Sequence, residues 1–128
     1  MGGNWEVIQP WFLREGFGML DHEARMDLEK IKEAAKKKWG ANCEFLELRI
    51  VDSPYPEFEL PIILYQKIEV GLYYDRSTMD IGIQQNGKYV ILNKFTNEEV
   101  YREFGAMEPQ NLQHNFEVLD EVVKKMLR

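Results

Sequence analysis

The sequence predicts an α+β domain, a four-stranded antiparallel sheet in the order helix, four strands, short helix, long helix, with the helices packed on one face. Three observations carry this. Apolar residues recur at helical spacing between Asp21 and Gly40, three later stretches alternate apolar and polar residues, and Asn86-Gly87 joins the last two of those stretches. A chain of 128 residues matches one folding unit, so residues 1–128 are read as a single domain with one core. Residues 1–20 are expected to form an arm packed on it.

Within that arm, Trp5 to Leu13 can contain a helical turn with Pro10 at its first position, while Gly16 and Gly18 prevent it from running into the next helix. The first helix opens at Asp21, a good N-cap. It carries Ala24, Leu28, Ile31, Ala35 and Trp39 as its core stripe and stops at Gly40, which tolerates a left-handed conformation. From Cys43 to Val51 the period becomes two, with Leu46, Leu48 and Ile50 on one side and Glu47 and Arg49 on the other. That is a half-buried strand.

Asp52 to Leu60, with Ser53-Pro54-Tyr55-Pro56, reads as a loop, and Pro61 restricts anything strand-like after it to a sheet edge. Alternation returns with Ile68, Val70, Leu72 and Tyr74, then Met79, Ile81 and Ile83, then Val90 and Leu92. Asp75 to Thr78 and Asn86-Gly87 are the turns of this meander. The type I′ preference of Asn-Gly sets a register that pairs Ile83 with Val90, Leu72 with Ile81 and Gly71 with Gly82, and places every apolar residue on one face. Thr96 and Glu99 have capping-box spacing, so Asn97 to Phe104 is expected to be a short helix ended by Gly105. A long helix from Pro109 to Leu127 follows, with Leu112, Phe116, Leu119, Val123 and Met126 toward the core.

The charge balance narrows the function. Sixteen basic against 22 acidic residues give net −6, a sign that opposes a phosphate backbone, so nucleic acid is not an expected partner. The basic run Lys36-Lys37-Lys38 lies in the last helical turn, where it complements the helix dipole. No apolar run approaches the roughly 20 residues that cross a bilayer, and no basic-then-apolar leader opens the sequence, so no membrane partner is expected. With the lone Cys43 unable to form an intrachain disulfide, this points to the cytoplasm.

Concentrated chemistry is absent from the pattern. His22 between Asp21 and Glu23 lacks a second histidine one turn on, so it reads as an exposed helix start rather than a metal ligand. His114 reads as exposed or paired with Glu117. Cys43 follows a helix C-terminus, which disfavours a thiolate, and Gly16-Phe17-Gly18 lacks the strand and spacing of a dinucleotide loop. No catalytic residue, metal or cofactor is assigned.

The outer face of the meander is more informative. The register places Glu69, Gln84 and Tyr89 in one cross-strand row, Gly71, Gly82 and Ile91 in the next, and Tyr73, Asp80 and Asn93 in the third. Facing glycines are unfavourable in strands, so they define either a bare groove walled by Tyr73, Tyr89 and Ile91, or a strip covered by a tyrosine or by the arm. The Asp52 to Glu59 loop, with Tyr55 and Glu57 among prolines, is a second recognition candidate.

These features point to a non-enzymatic protein-binding module. Its most specific form is an acidic inhibitor or immunity-type protein that neutralises a basic, nuclease-like toxin. Its contact residues would be Glu47, Glu69, Gly71, Tyr73, Asp80, Gly82, Tyr89, Ile91, Tyr55 and Glu57. One alternative is a small-molecule-binding or enzymatic domain with a pocket between sheet and helices and Glu47, Glu69 or Asp80 as acid or base. Another is a structural subunit that forms a homodimer or larger oligomer through the glycine strip.

Overall fold

The computed structural model describes residues 20–51 and 57–128; all of the expected 1–20 arm but Leu20, and the loop centre with Tyr55, lie outside the described residues. Helix α1 (His22–Trp39) begins where the sequence places it, with the Asp21 carboxylate accepting from the Ala24 amide at 2.8 Å. Gly40 ends it at φ +53°, a conformation that costs glycine nothing. Ala24, Leu28, Ile31, Ala35 and Trp39 are buried, as their spacing requires.

Among the described residues six strands form one antiparallel sheet, where four were expected: β1 (Cys43–Phe45), β2 (Arg49–Ile50), β3 (Glu57–Leu64), β4 (Ile68–Asp75), β5 (Thr78–Gln85) and β6 (Lys88–Ile91). β3 to β6 pair in sequence, and β1 and β2 both pair with the other side of β3.

The difference centres on Pro61. It lies inside the sheet with neighbours on both sides, not at an edge. Its carbonyl accepts from the Leu46 amide at 2.9 Å, and a strand residue projects its nitrogen and its carbonyl to the same side. The nitrogen that lacks a hydrogen therefore faces residues 46–48, and no ladder bond to β4 is lost. Phe45 stands opposite Ile62 and Arg49 opposite Glu59, so residues 46–48 oppose only residues 60 and 61. This one-residue bulge splits the expected first strand in two and shifts its alternation. Cys43 and Phe45 before it, and Leu48 and Ile50 after it, pack against the core, with Leu46 out of step with the last two.

The meander follows the expected register: Val70 faces Ile83, Gly71 faces Gly82, Leu72 faces Ile81, Gly82 faces Ile91 and Gln84 faces Tyr89. Asn86 and Gly87 take φ +52° and +84°, the positive pair a type I′ turn requires. β6 stops at Ile91, because Leu92–Lys94 turns into a 3-10 helix that sends Leu92 into the core and removes Asn93 from the outer row.

The expected short helix from Asn97 to Phe104 does not form. Thr96 accepts from the Glu98 amide at 3.0 Å, an ST turn rather than a capping box. The backbone beyond it has tertiary partners instead of helical ones. Tyr101 gives its amide to the Asn115 side-chain oxygen at 2.8 Å and accepts from the Asn115 nitrogen at 2.9 Å, and the Arg102 carbonyl accepts from the Met79 amide at 3.0 Å.

Helix α2 (Pro109–Met126) starts on its proline and buries Leu112, Phe116, Leu119 and Val123. The core packs the two helices against the inner sheet face, where Phe58, Leu60, Leu72, Tyr74, Ile81 and Ile83 are fully buried. Trp39 meets Phe116 with ring centroids 5.1 Å apart, and the Tyr74 hydroxyl donates to the buried Asp27 of α1 at 2.7 Å. Among the described residues no helix is long and apolar enough to cross a membrane.

Candidate functional site

The outer sheet face brings polar side chains from five strands together. One row runs Arg49, Glu59, Tyr73 and Asp80 from β2 to β5, and the next runs Pro61, Gly71, Gly82 and Ile91 from β3 to β6. Continuing the same register, Ile63, Glu69, Gln84 and Tyr89 form the third. Glu57 faces Asp75 at the end nearest the β4–β5 turn. The meander rows are those the sequence dictates, save for Asn93. The β3 contribution escaped sequence reasoning because Pro61 argued against a strand.

The glycine strip is not open along its length. A Cβ placed on Gly71 would stand 3.0 Å from Glu59 Oε1 and 3.0 Å from the Tyr89 ring, so the tyrosine already occupies the space a side chain would take. Both glycines are buried. Of the readings open for the strip, a tyrosine laid over glycine holds at Gly71, and the groove with Tyr89 as its wall is closed there.

Hydrogen bonds hold the carboxylates of this face in place. Arg49 donates to Glu59 Oε2 at 2.8 Å and Arg102 to Asp80 Oδ1 at 2.6 Å, both as ion pairs. Glu57 and Glu69 are held differently. The Tyr73 hydroxyl donates to Glu57, and the Tyr89 hydroxyl to Glu69 at 2.6 Å. A hydroxyl fixes a carboxylate without cancelling its charge. Burial pushes both tyrosine pKa values well up, and the hydrogen bonds to the carboxylates add to the rise.

Glu59 is 98% buried, and burial pushes its carboxyl above the usual range, with Arg49 pulling it back and Glu69 adding to the rise. Its Oε1, like Gln84 Oε1, is buried without a hydrogen-bond partner among the described residues. The other expected contact residues scatter: Glu47 is exposed in the bulge, Ile91 is half-buried on β6, and Tyr55 falls outside the described residues.

The residues weighed for chemistry have structural roles. Cys43 is half-buried, and desolvation pushes its thiol up to about 11, away from thiolate reactivity. His114 does not pair with Glu117: its Nε2 lies 2.7 Å from the Glu99 carbonyl and its ring meets Tyr101 edge-on, while Glu117 accepts from Gln113. Among the described residues no group of three or more His, Cys, Asp or Glu side chains could hold a metal ion. A cavity of about 530 Å³ lies between α1 and α2 rather than between sheet and helices, and none of Glu47, Glu69 and Asp80 lines it.

One buried cluster gave no sequence signal, because its members are far apart in the chain. Asp120 Oδ1 accepts from Trp39 Nε1 at 2.9 Å and from the Tyr65 hydroxyl at 2.5 Å, with Lys124 3.2 Å and Lys38 3.8 Å from Oδ2. Burial opposes its charge, but the hydrogen bonds from Tyr65, Trp39 and Lys124 outweigh that and hold the carboxyl below its usual range. The cluster ties both helices to the β3–β4 turn.

No family model matches the chain, and no curated protein or solved structure matches it significantly.

Proposed function

We propose that the chain is a protein-binding module that presents the outer face of its sheet to a basic partner protein. The observation that carries this reading is the tyrosine-held pair of carboxylates. Glu57 and Glu69 are fixed by the hydroxyls of Tyr73 and Tyr89 rather than by ion pairs, with Asp80 on the same face. Acceptors positioned before binding lose little entropy when a lysine or arginine arrives, and tyrosine adds rigid contact area. The most specific form is an immunity-type inhibitor that covers the basic, nucleic-acid-binding surface of a nuclease-like toxin, where acidic complementarity speeds capture.

In this reading the contacts come from Glu47, Glu57, Glu69, Tyr73, Asp80, Tyr89 and Ile91, while Gly71 leaves the space that the Tyr89 ring fills and Gly82 stands beside it in the strip. The test is capture from the native host with the full chain as bait, followed by affinity measurement on the purified partner. A basic protein should be retained by the wild type and weakened at least about tenfold by Tyr73→Ala or Glu69→Lys at unchanged thermal midpoint. Equal retention by both variants would move the contact off this face.

A further inference from the structure

On the opposite side of the molecule, α1 and α2 run beside one another with matched rows of side chains. Lys30, Glu33, Ala34, Lys37 and Lys38 face Pro109, Leu112, Gln113, Phe116 and Glu117 across the cavity of about 530 Å³, with Met107 at one end. Both rows have the i, i+3, i+4, i+7, i+8 spacing that lines one helix face. At its base Ala34 is partly exposed over the buried Met107, Leu112 and Phe116, and Pro109 and the stems of the lysines add apolar surface along its walls. The rim carries lysines although the chain as a whole is at −6. The volume lies within the range of small-molecule pockets.

We propose that this groove binds an anionic amphiphile, a single alkyl chain ending in a carboxylate. The charge that would receive the head group is concentrated at one end. Lys37 is exposed and makes no ion pair among the described residues. Lys38 stands 3.8 Å from Asp120, beyond hydrogen-bond distance, and that carboxylate already receives Trp39, Tyr65 and Lys124. Lys38 can therefore turn to a ligand without stranding Asp120. From Phe116 back to Pro109 the floor extends about 10 Å along the helix axis, enough for a medium-length chain. Met107 at the far end is adaptable in shape. Two carboxylates share the rim with the three lysines: Glu117 is turned toward Gln113, which positions it without cancelling its charge, and Glu33 lies one turn before Lys37, where it competes for the same ammonium. The site is independent of the acidic sheet face.

The test is calorimetric titration of the full chain with decanoate and, as the same tail with the opposite head, decylamine, each below its micellar concentration. Decanoate should bind saturably and decylamine at least about tenfold more weakly, since the heads differ only in sign. Lys37→Glu, an exposed change, should weaken decanoate by about tenfold, and Glu33→Gln should tighten it by removing the competitor. Amide resonances of Ala34, Leu112 and Gln113 should shift on binding while those of Tyr73 and Tyr89 stay in place. Equal binding of the two probes, absence of saturable decanoate binding, or indifference to both substitutions overturns the proposal. None of these outcomes bears on the sheet face, whose partner is tested separately.

Discussion

Gly71 shows how a single position links sequence to surface. Its strand conformation suits any residue, so glycine is required there only by the Tyr89 ring and Glu59 Oε1, each 3.0 Å from a prospective Cβ. Gly71→Ala would gain a little by restricting the unfolded chain, but the overlap with an anchored tyrosine should win, for a net loss of about 1–2 kcal/mol in urea unfolding. In the Tyr89→Ala background, where only Glu59 Oε1 remains close, the loss from the same change should shrink. Additive losses would show that the ring does not enforce the glycine.

Two carboxylates set opposite pH dependences. Glu59 has its folded pKa raised above the ordinary 4.5, so its charge costs stability above that raised value, and the cost disappears as pH falls to the unfolded value. Asp120 has its folded pKa lowered below the ordinary 3.8; its contribution is present above that value and lost as pH falls through the lowered one. The melting temperature should therefore rise as pH falls through the raised Glu59 value toward 4.5, and fall once pH drops below 3.8. Glu59→Gln should flatten the rise and leave the acid fall, which calorimetry across the range would show.

At the scale of elements, what could be read in the sequence was whatever local pattern decides. Asp21 and Gly40 bound α1 by caps, Pro109 opens α2, and Asn86-Gly87 fixes the meander register. What could not be read was decided by partners distant in the chain. β3 is hidden because Pro61 is tolerated only where its nitrogen faces a bulge, and nothing local announces a bulge at residues 46–48. The Thr96–Glu99 pattern failed because Asn115, from α2, offers the Tyr101 backbone both a donor and an acceptor. Asn115 is fully buried, so Asn115→Ala would strand both backbone groups, and the expected loss is about 2–4 kcal/mol by urea denaturation. Rapid hydrogen exchange should then appear across residues 95–104. A loss below about 0.5 kcal/mol would mean that the clasp does not hold this segment.

Over the whole molecule, the carboxylates of the proposed contact face and the main run of lysines lie on different elements. Glu57, Glu69 and Asp80 share the outer sheet face, and α1 carries Lys30, Lys32, Lys36, Lys37 and Lys38 on the other side. The register alone puts Glu69 and Asp80 on this face, but not Glu57, Arg49 and Glu59, which depend on β2 and β3, nor the tyrosine hydroxyls that hold Glu57 and Glu69. The proposed function requires long-range attraction between that face and a basic protein, and the association rate measures it most directly. Raising salt from about 50 to 500 mM shortens the Debye length from roughly 14 to 4 Å. With the captured partner, association should slow by at least about tenfold over that range while dissociation changes little, and Glu57→Lys with Glu69→Lys should abolish the dependence at low salt. An association rate indifferent to salt, or a salt dependence untouched by the double reversal, would contradict it.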